Sequence, residues 1–423
     1  MSIDITVNKN YSAEATLALS SSPDLSGAIA GVLRRQATAV GKVWLAVMFV
    51  LGYLAVCMQA GSVHWQDADL TRLTVGPKTS SGSGIAMAFD PIWNTPRTHY
   101  IGADQHVHEL YISGGSWHNA DLTALTGGPN AYGSGVTMTF DNRWRGIRTH
   151  YIAADRHVHE LFLYGTRWQD ADLTALTGGP TAYGIGIAST FDPLWNTPRT
   201  HYVAADQHVH ELFLWGDRWQ DADLTKLTGG PSVAYGSGIA IVFDPTLQGI
   251  RTHYLANFTN QPVHELYLSG SQWHDANLSA LSGGPTGYGN GIAMAFDSTY
   301  NLVRTHYTAI DHHVHELIIN SGRWQDADLN ALAGGNAFGS GVAMAFDPVA
   351  KSPRTHYISA NQHVHELDLY LGRWQDSDLT AATGGPATWW NGLAMIFDPA
   401  WNRTRTHYIG SDQHVHELTL VGP

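Results

Sequence analysis

The chain has a single cysteine, Cys57, in 423 residues. That excludes an intramolecular disulfide framework and any multi-cysteine zinc site. Charge is also scarce, at 14% of residues, and the basic side is outnumbered, with 23 Lys+Arg against 36 Asp+Glu for a formal net charge of −13. No basic face is available for a phosphate backbone or an anionic membrane surface, so nucleic acid is not an expected partner. The chain carries no G-x-S-x-G, and no carboxylate pair or nucleophile is confined to one stretch of it. A hydrolase would need such an asymmetric site, so no enzyme and no cofactor are expected. Glycine (44), histidine (24) and tryptophan (15) are what the chain has in quantity. This composition suits neither a disordered segment nor a coiled coil.

The histidines and tryptophans fall on a repeat. H-V-H-E-L or a close variant ends at Leu110, Leu161, Leu212, Leu266, Leu317, Leu367 and Leu418, at spacings of 51, 51, 54, 51, 50 and 51. Each copy also holds R-T-H-Y and a W-x-x-[AS]-[DN]-L element. One unit reads as four short strands: a small apolar segment such as 84–89, two alternating segments joined at the turn Ala103-Asp104-Gln105, and the tryptophan segment before a T-G-G-P loop. Tandem four-stranded units of about 50 residues predict an all-β, seven-bladed β-propeller. The array opens at Trp65 with a lone last strand and ends at Leu418 with a unit lacking that strand. Pairing the two would close the ring and leave no exposed sheet edge, whereas a solenoid would need polar caps.

Three regions follow: residues 1–42, polar and without the repeat; residues 43–61, with sixteen uncharged residues from Val43 to Met58; and the propeller at 62–423. The apolar run predicts a hydrophobic helix, either a membrane anchor or a secretion signal, behind the basic Arg34, Arg35 and Lys42. Both alternatives place the propeller outside the cell, secreted or membrane-anchored, with the membrane a partner if the segment stays uncleaved.

Within each hairpin an arginine and a glutamate stand twelve residues apart: Arg97 and Glu109, Arg148 and Glu160, Arg199 and Glu211, Arg304 and Glu316, Arg354 and Glu366, Arg405 and Glu417. A guanidinium beside a carboxylate presents fixed donors and acceptors to vicinal hydroxyls, the chemistry of sugar recognition. The same pair reads equally as a surface cross-strand salt bridge that adds little to stability. Eight residues after the glutamate comes a tryptophan: Trp117, Trp168, Trp219, Trp273, Trp324 and Trp374, with Trp65 the seventh by ring closure. An indole face can stack on the C–H face of a sugar or pack between blades. A second aromatic before the first strand, at Tyr132, Tyr183 and Tyr288 among others, reads as packing.

This pattern resembles the fungal fucose-specific lectin family, the Aleuria-type propellers, over residues 63–420. The resemblance implies a fucose held between blades by the Arg and Glu of one and the aromatic of the next. It pairs Arg97 and Glu109 with Trp168, Arg148 and Glu160 with Trp219, and Arg199 and Glu211 with Trp273. It likewise pairs Arg304 and Glu316 with Trp374, Arg354 and Glu366 with Trp65, and Arg405 and Glu417 with Trp117. The chain departs from the family in having seven units rather than six, and aliphatic residues (Ile112, Leu163, Leu214) three positions after the glutamate. In the fourth unit the spacing from Arg251 to Glu265 grows to fourteen, which predicts a degenerate site with Trp324.

Two further patterns carry metal-ligand chemistry. His99, His106 and His108 could bring three imidazoles together in a blade, or hydrogen-bond across the hairpin. The D-x-D of Asp170 and Asp172 and its equivalents lacks the further oxygens of a calcium loop and reads as turn and cap chemistry. No metal is expected. The expected function is multivalent lectin binding to glycans or glycoconjugates; the alternative is a protein-interaction scaffold without sugar binding.

Overall fold

The computed structural model describes residues 64–80, 82–234, 236–257 and 260–421. They form seven four-stranded antiparallel sheets, the blades of a propeller. Blades 1 to 6 span residues 85–121, 131–172, 182–223, 239–277, 287–328 and 337–378. Blade 7 takes three strands from 388–421 and its outermost strand, His64–Asp69, from the other end of the array, which is the closure expected from the sequence.

Period-2 alternation assigns the residues of R-T-H-Y to opposite faces of the blade's second strand. Thr149 faces the preceding blade, where its hydroxyl meets His99 Nδ1 at 2.8 Å, while His150 faces the following one and meets Thr200 at 2.7 Å. The same His–Thr link joins blade 7 to blade 1, between His407 and Thr98 at 2.8 Å. At the junction of blades 6 and 7, His356 Nδ1 and Thr406 Oγ1 are buried without hydrogen-bond partners. The tyrosines of R-T-H-Y are fully buried in all seven blades. Tyr202 shows their use: its hydroxyl donates to the Pro180 carbonyl at 3.1 Å and to Asp221 at 2.9 Å, holding the G-G-P loop against the blade.

Between the outermost strand and that loop lies a five-residue helix that the sequence reading did not separate from the tryptophan segment, for example Leu173–Thr177. Asp172 caps it, accepting from the Ala175 amide, and Gly178 ends it in the left-handed region at φ 69°. The second aspartate of the D-x-D thus serves as cap chemistry, as expected, while the first, Asp170, is bonded by Tyr151 and His159.

Residues 1–63, including the polar segment 1–42 and the whole of the hydrophobic segment 43–61, lie outside the described residues. The expected membrane-anchored location is corrected: among the described residues no helix is long and apolar enough to cross a membrane. The described helices, at five residues, are about 7.5 Å long, against a hydrocarbon core of about 30 Å.

Candidate functional site

The second strand of each blade carries its arginine on the face turned toward the next blade, and the third strand brings the glutamate beside it. His150 pairs with Glu160 in register and Arg148 with Phe162, so Arg148, His150 and Glu160 share one face. Arg148 Nη1 donates to Glu160, and Arg148 Nε donates to Asp141 at 2.6 Å. The aspartate, seven residues before the arginine, is a partner that the sequence reading missed. It recurs in every blade, from Asp90 with Arg97 at 2.8 Å to Asp398 with Arg405 at 2.6 Å. Its other oxygen fixes the adjoining turn: Asp141 Oδ1 accepts from the amides of Arg143 at 2.8 Å and Trp144 at 3.2 Å.

These ion pairs are not at the surface, contrary to the salt-bridge expectation: Arg148 is 7% exposed and Glu160 2%. Burial pushes the Glu160 carboxyl up, but the His150 imidazole 3.4 Å away and the Arg148 charge overcome it and hold the group below the usual carboxylate range. Burial likewise opposes the charge on Arg148, and Glu160 and Asp141 outweigh it, so its pKa is raised. Each pair of carboxylates with one guanidinium leaves the cluster one negative charge in excess.

The tryptophan of the following blade completes the arrangement in the pairing expected from the sequence. Arg148 lies 5.9 Å from the Trp219 ring centroid. His99 meets Trp168 edge-on at 5.3 Å, His201 meets Trp273 at 5.4 Å, and His306 meets Trp374 at 5.4 Å. Across the closure, His407 meets Trp117 at 5.4 Å, and Trp65 Nε1 donates to Glu366 at 3.3 Å. These indoles are partly buried, with one side against the hydrophobic core of the blade junction. The remaining members follow the same plan: Arg199 pairs with Glu211, Arg304 with Glu316 and Arg354 with Glu366.

Between blades 2 and 3 the arrangement opens into a cleft of about 460 Å³ lined by Arg148, Glu160, Trp219, Trp144, Phe162 and Tyr164 among others. Trp144 was missed by the sequence reading. It belongs to a series three residues after the arginine-bound aspartate, and Trp93, Trp144, Trp195, Tyr300 and Trp401 are all exposed. Leu247 and Ala350 take that place in blades 4 and 6. The second aromatic series also departs from expectation: Tyr183 packs on the core, but Tyr132 and Tyr288 are more than 40% exposed.

The expected degeneracy of the fourth unit is not seen in the geometry. Arg251 donates to Glu265 and, at 2.7 Å, to Asp244, and lies 6.0 Å from the Trp324 ring centroid. Arg251 still pairs with Tyr267 across the hairpin, so the two extra residues are absorbed in the turn. The three imidazoles of a blade do not meet: His99 is at the blade junction, while His106 and His108 lie at the hairpin turn with Asp104 and Asp121.

Among solved structures, the chain is similar to the BP39L lectin from Burkholderia pseudomallei at 12% identity, with a TM-score of 0.63 over 82% of this chain and 98% of that one. The fold is the β-propeller that this structure shares. The fucose-specific lectin from Aleuria aurantia matches at 15% identity and a TM-score of 0.48, over 71% of this chain and 96% of that one. AofleA from Arthrobotrys oligospora matches at 12% and 0.48, over 75% and 90%. No family model and no curated protein matches the chain. What the propeller fold contributes here is placement: seven repeated junctions, each bringing a guanidinium, a carboxylate and an indole to the space between blades.

Proposed function

We propose that the chain is a multivalent lectin that binds neutral monosaccharide units of glycans, fucose first among those to be tested, in the clefts between its blades. The observation that carries this reading is the convergence of Arg148, Glu160, Trp144 and Trp219 on one cleft. Two polar groups of opposite charge are held rigid by Asp141 and His150, and two indoles supply apolar faces on which a pyranose ring can stack. The excess negative charge favours a neutral sugar over a sialic or uronic acid. The resemblance of the Arg, Glu and Trp pattern to the fucose-specific family selects fucose, and the BP39L lectin is a precedent for sugar binding on this fold.

A single shallow cleft would bind weakly, and engagement of several clefts by one glycan surface would raise apparent affinity by about 10²–10⁴ through effective concentration. The untagged full chain on a glycan array, with and without EDTA, tests the reading. Binding that free methyl fucoside or another neutral monosaccharide displaces, and that survives EDTA, is expected, with Trp219→Ala lowering the number of sites per chain by one. An array with no sugar-displaceable binding would overturn it and leave the interaction scaffold in its place.

A further inference from the structure

At the other end of each hairpin from the arginine, the H-V-H turn gathers four ligand-bearing side chains that the clefts do not use. In five blades two aspartates and two histidines converge with their ligand atoms all within 4.8 Å of one another: Asp104, His106, His108 and Asp121 in blade 1, Asp155, His157, His159 and Asp172 in blade 2, and likewise in blades 3, 5 and 7. In blade 2, His157 Nδ1 lies 2.7 Å from Asp172 Oδ2 and 3.8 Å from Asp155 Oδ2, and His159 Nε2 lies 3.6 Å from Asp155 Oδ2 and 3.8 Å from Asp172 Oδ2. These separations bracket the distance of about 3.3 Å between ligand atoms around a tetrahedral zinc with bonds of about 2.0–2.1 Å.

The decisive atom is His159 Nε2. His159 is 4% exposed, its Nε2 is buried with no hydrogen-bond partner, and its Nδ1 is bonded to Asp170 Oδ1 at 3.0 Å; in blades 1, 3, 5 and 7 the matching Nε2 of His108, His210, His315 and His416 instead lies 3.0–3.2 Å from a carboxylate oxygen of the turn aspartate. A carboxylate only accepts, so Nδ1 carries the hydrogen, and the neutral ring turns the Nε2 lone pair toward two further carboxylates. Three acceptors facing one another call for positive charge between them, which a metal ion or a proton on Nε2 supplies. The carboxylate behind the imidazole is also the arrangement that orients a histidine ligand and raises its basicity. The other ligands are fixed in the same manner: Asp172 Oδ1 accepts from the Ala175 amide at 2.8 Å and Asp155 Oδ1 from the His157 amide at 2.9 Å, which leaves each Oδ2 for the cluster.

We propose that each of these five clusters is a binding site for Zn²⁺, or a divalent transition ion of like preference, held by two imidazole nitrogens and two carboxylate oxygens, the ion taking the place of the hydrogen that His157 Nδ1 shares with Asp172 Oδ2 in the metal-free chain, which moves to Nε2 of that ring. Two imidazoles disfavour Ca²⁺ and Mg²⁺, and the absence of thiolate disfavours the softest ions. Blade 4 is a control built into the chain, because Pro262 stands in place of the first histidine and Asn277 in place of the capping aspartate. The ions would clasp each hairpin turn to the cap of the next helix, a role separate from the clefts.

The untagged full chain, stripped by chelator, equilibrated with micromolar Zn²⁺ and passed through a gel-filtration column, is expected to carry five equivalents from these clusters by elemental analysis, or six if blade 6 also binds, where Asn361 replaces the turn aspartate beside His363, His365 and Asp378. Co²⁺ in its place should give the intense visible d–d absorption of a four-coordinate site. His157→Gln, at a partly exposed position, should remove one equivalent, and the far-UV spectrum reports that the variant is folded. A chain that leaves the column metal-free, or a folded His157→Gln that keeps the full complement, overturns the proposal and assigns the clusters to proton-bearing ion pairs. Glycan binding in EDTA is read separately, so failure of the metal sites and failure of the lectin reading are distinguishable.

Discussion

Glu160 looks in the sequence like half of a surface salt bridge, and the structure makes it a buried junction. It accepts from Arg148, lies 3.4 Å from His150, and is 2% exposed, with Asp141 holding the far side of the guanidinium. A surface pair would be worth about 0–1 kcal/mol. A buried charge acceptor is different, because its removal leaves donors desolvated and unpaired. Glu160→Gln keeps the shape and one acceptor oxygen, so it is expected to lower stability by about 1–3 kcal/mol. Glu160→Ala should cost more, since Arg148 is then left with Asp141 alone. Urea unfolding of each variant beside the parent chain measures this, and a neutral Glu160→Gln would return the pair to the status of a surface bridge. Both variants should also lose one sugar site, so the same residue serves fold and proposed function together.

At the scale of the element, the T-G-G-P loop shows two glycines present for different reasons. Gly178 adopts a left-handed φ of 69° to end its helix, whereas Gly179 has no room for a side chain. A Cβ there would stand 2.9 Å from the Asp221 carboxylate and 3.1 Å from the Tyr202 hydroxyl, the two groups whose hydrogen bond seats the loop. Gly179→Ala is expected to cost about 1–3 kcal/mol by overpacking. A thermal melt provides the readout, and an unchanged midpoint would mean that the loop is not seated on Tyr202. The strands were legible in the sequence because a repeated period-2 pattern is a strong signal. The five-residue helix was not, because it is shorter than two turns and its apolar spacing has no room to declare itself. Trp144 was missed for another reason: its series stands four residues before R-T-H-Y in every unit, but it lapses at Leu247 and Ala350 and lies in the turn between strands rather than on a strand face. The fourth unit misled because residue spacing counts the turn, whereas side-chain pairing depends only on strand register, and that is kept.

Over the whole molecule, repetition multiplies every such local device, and ring closure makes the blades one cooperative body. Asp67, from the opening strand, accepts from Tyr408 at 2.7 Å and meets His416 at 2.9 Å, so the two ends of the array share the interactions that elsewhere lie within one blade. The titrating groups are multiplied too, and their signs can be worked out. His99, His201, His253, His306, His356 and His407 are pushed below the ordinary value of 6.5 by burial. The unfolded chain protonates these first, so their contribution is intact above pH 6.5 and is lost as pH falls toward their folded values. The glutamates of all seven blades are also held below the ordinary value of 4.5, which adds a second loss in the carboxylate range. His159, His210, His315 and His416 run the other way: burial pushes them down, but their aspartates raise them above 6.5. Their contribution is intact below pH 6.5 and is lost as pH rises through their folded values. Metal-free protein should therefore be most resistant to urea near neutrality, with an acid limb that begins in the imidazole range, ahead of the carboxylates, and a shallower loss on the alkaline side. Urea midpoints at pH 8, 7, 5.5 and 4 trace both limbs. A midpoint that stays level from pH 7 to 5.5 and falls only in the carboxylate range would show that the blade-junction imidazoles are not held neutral by burial.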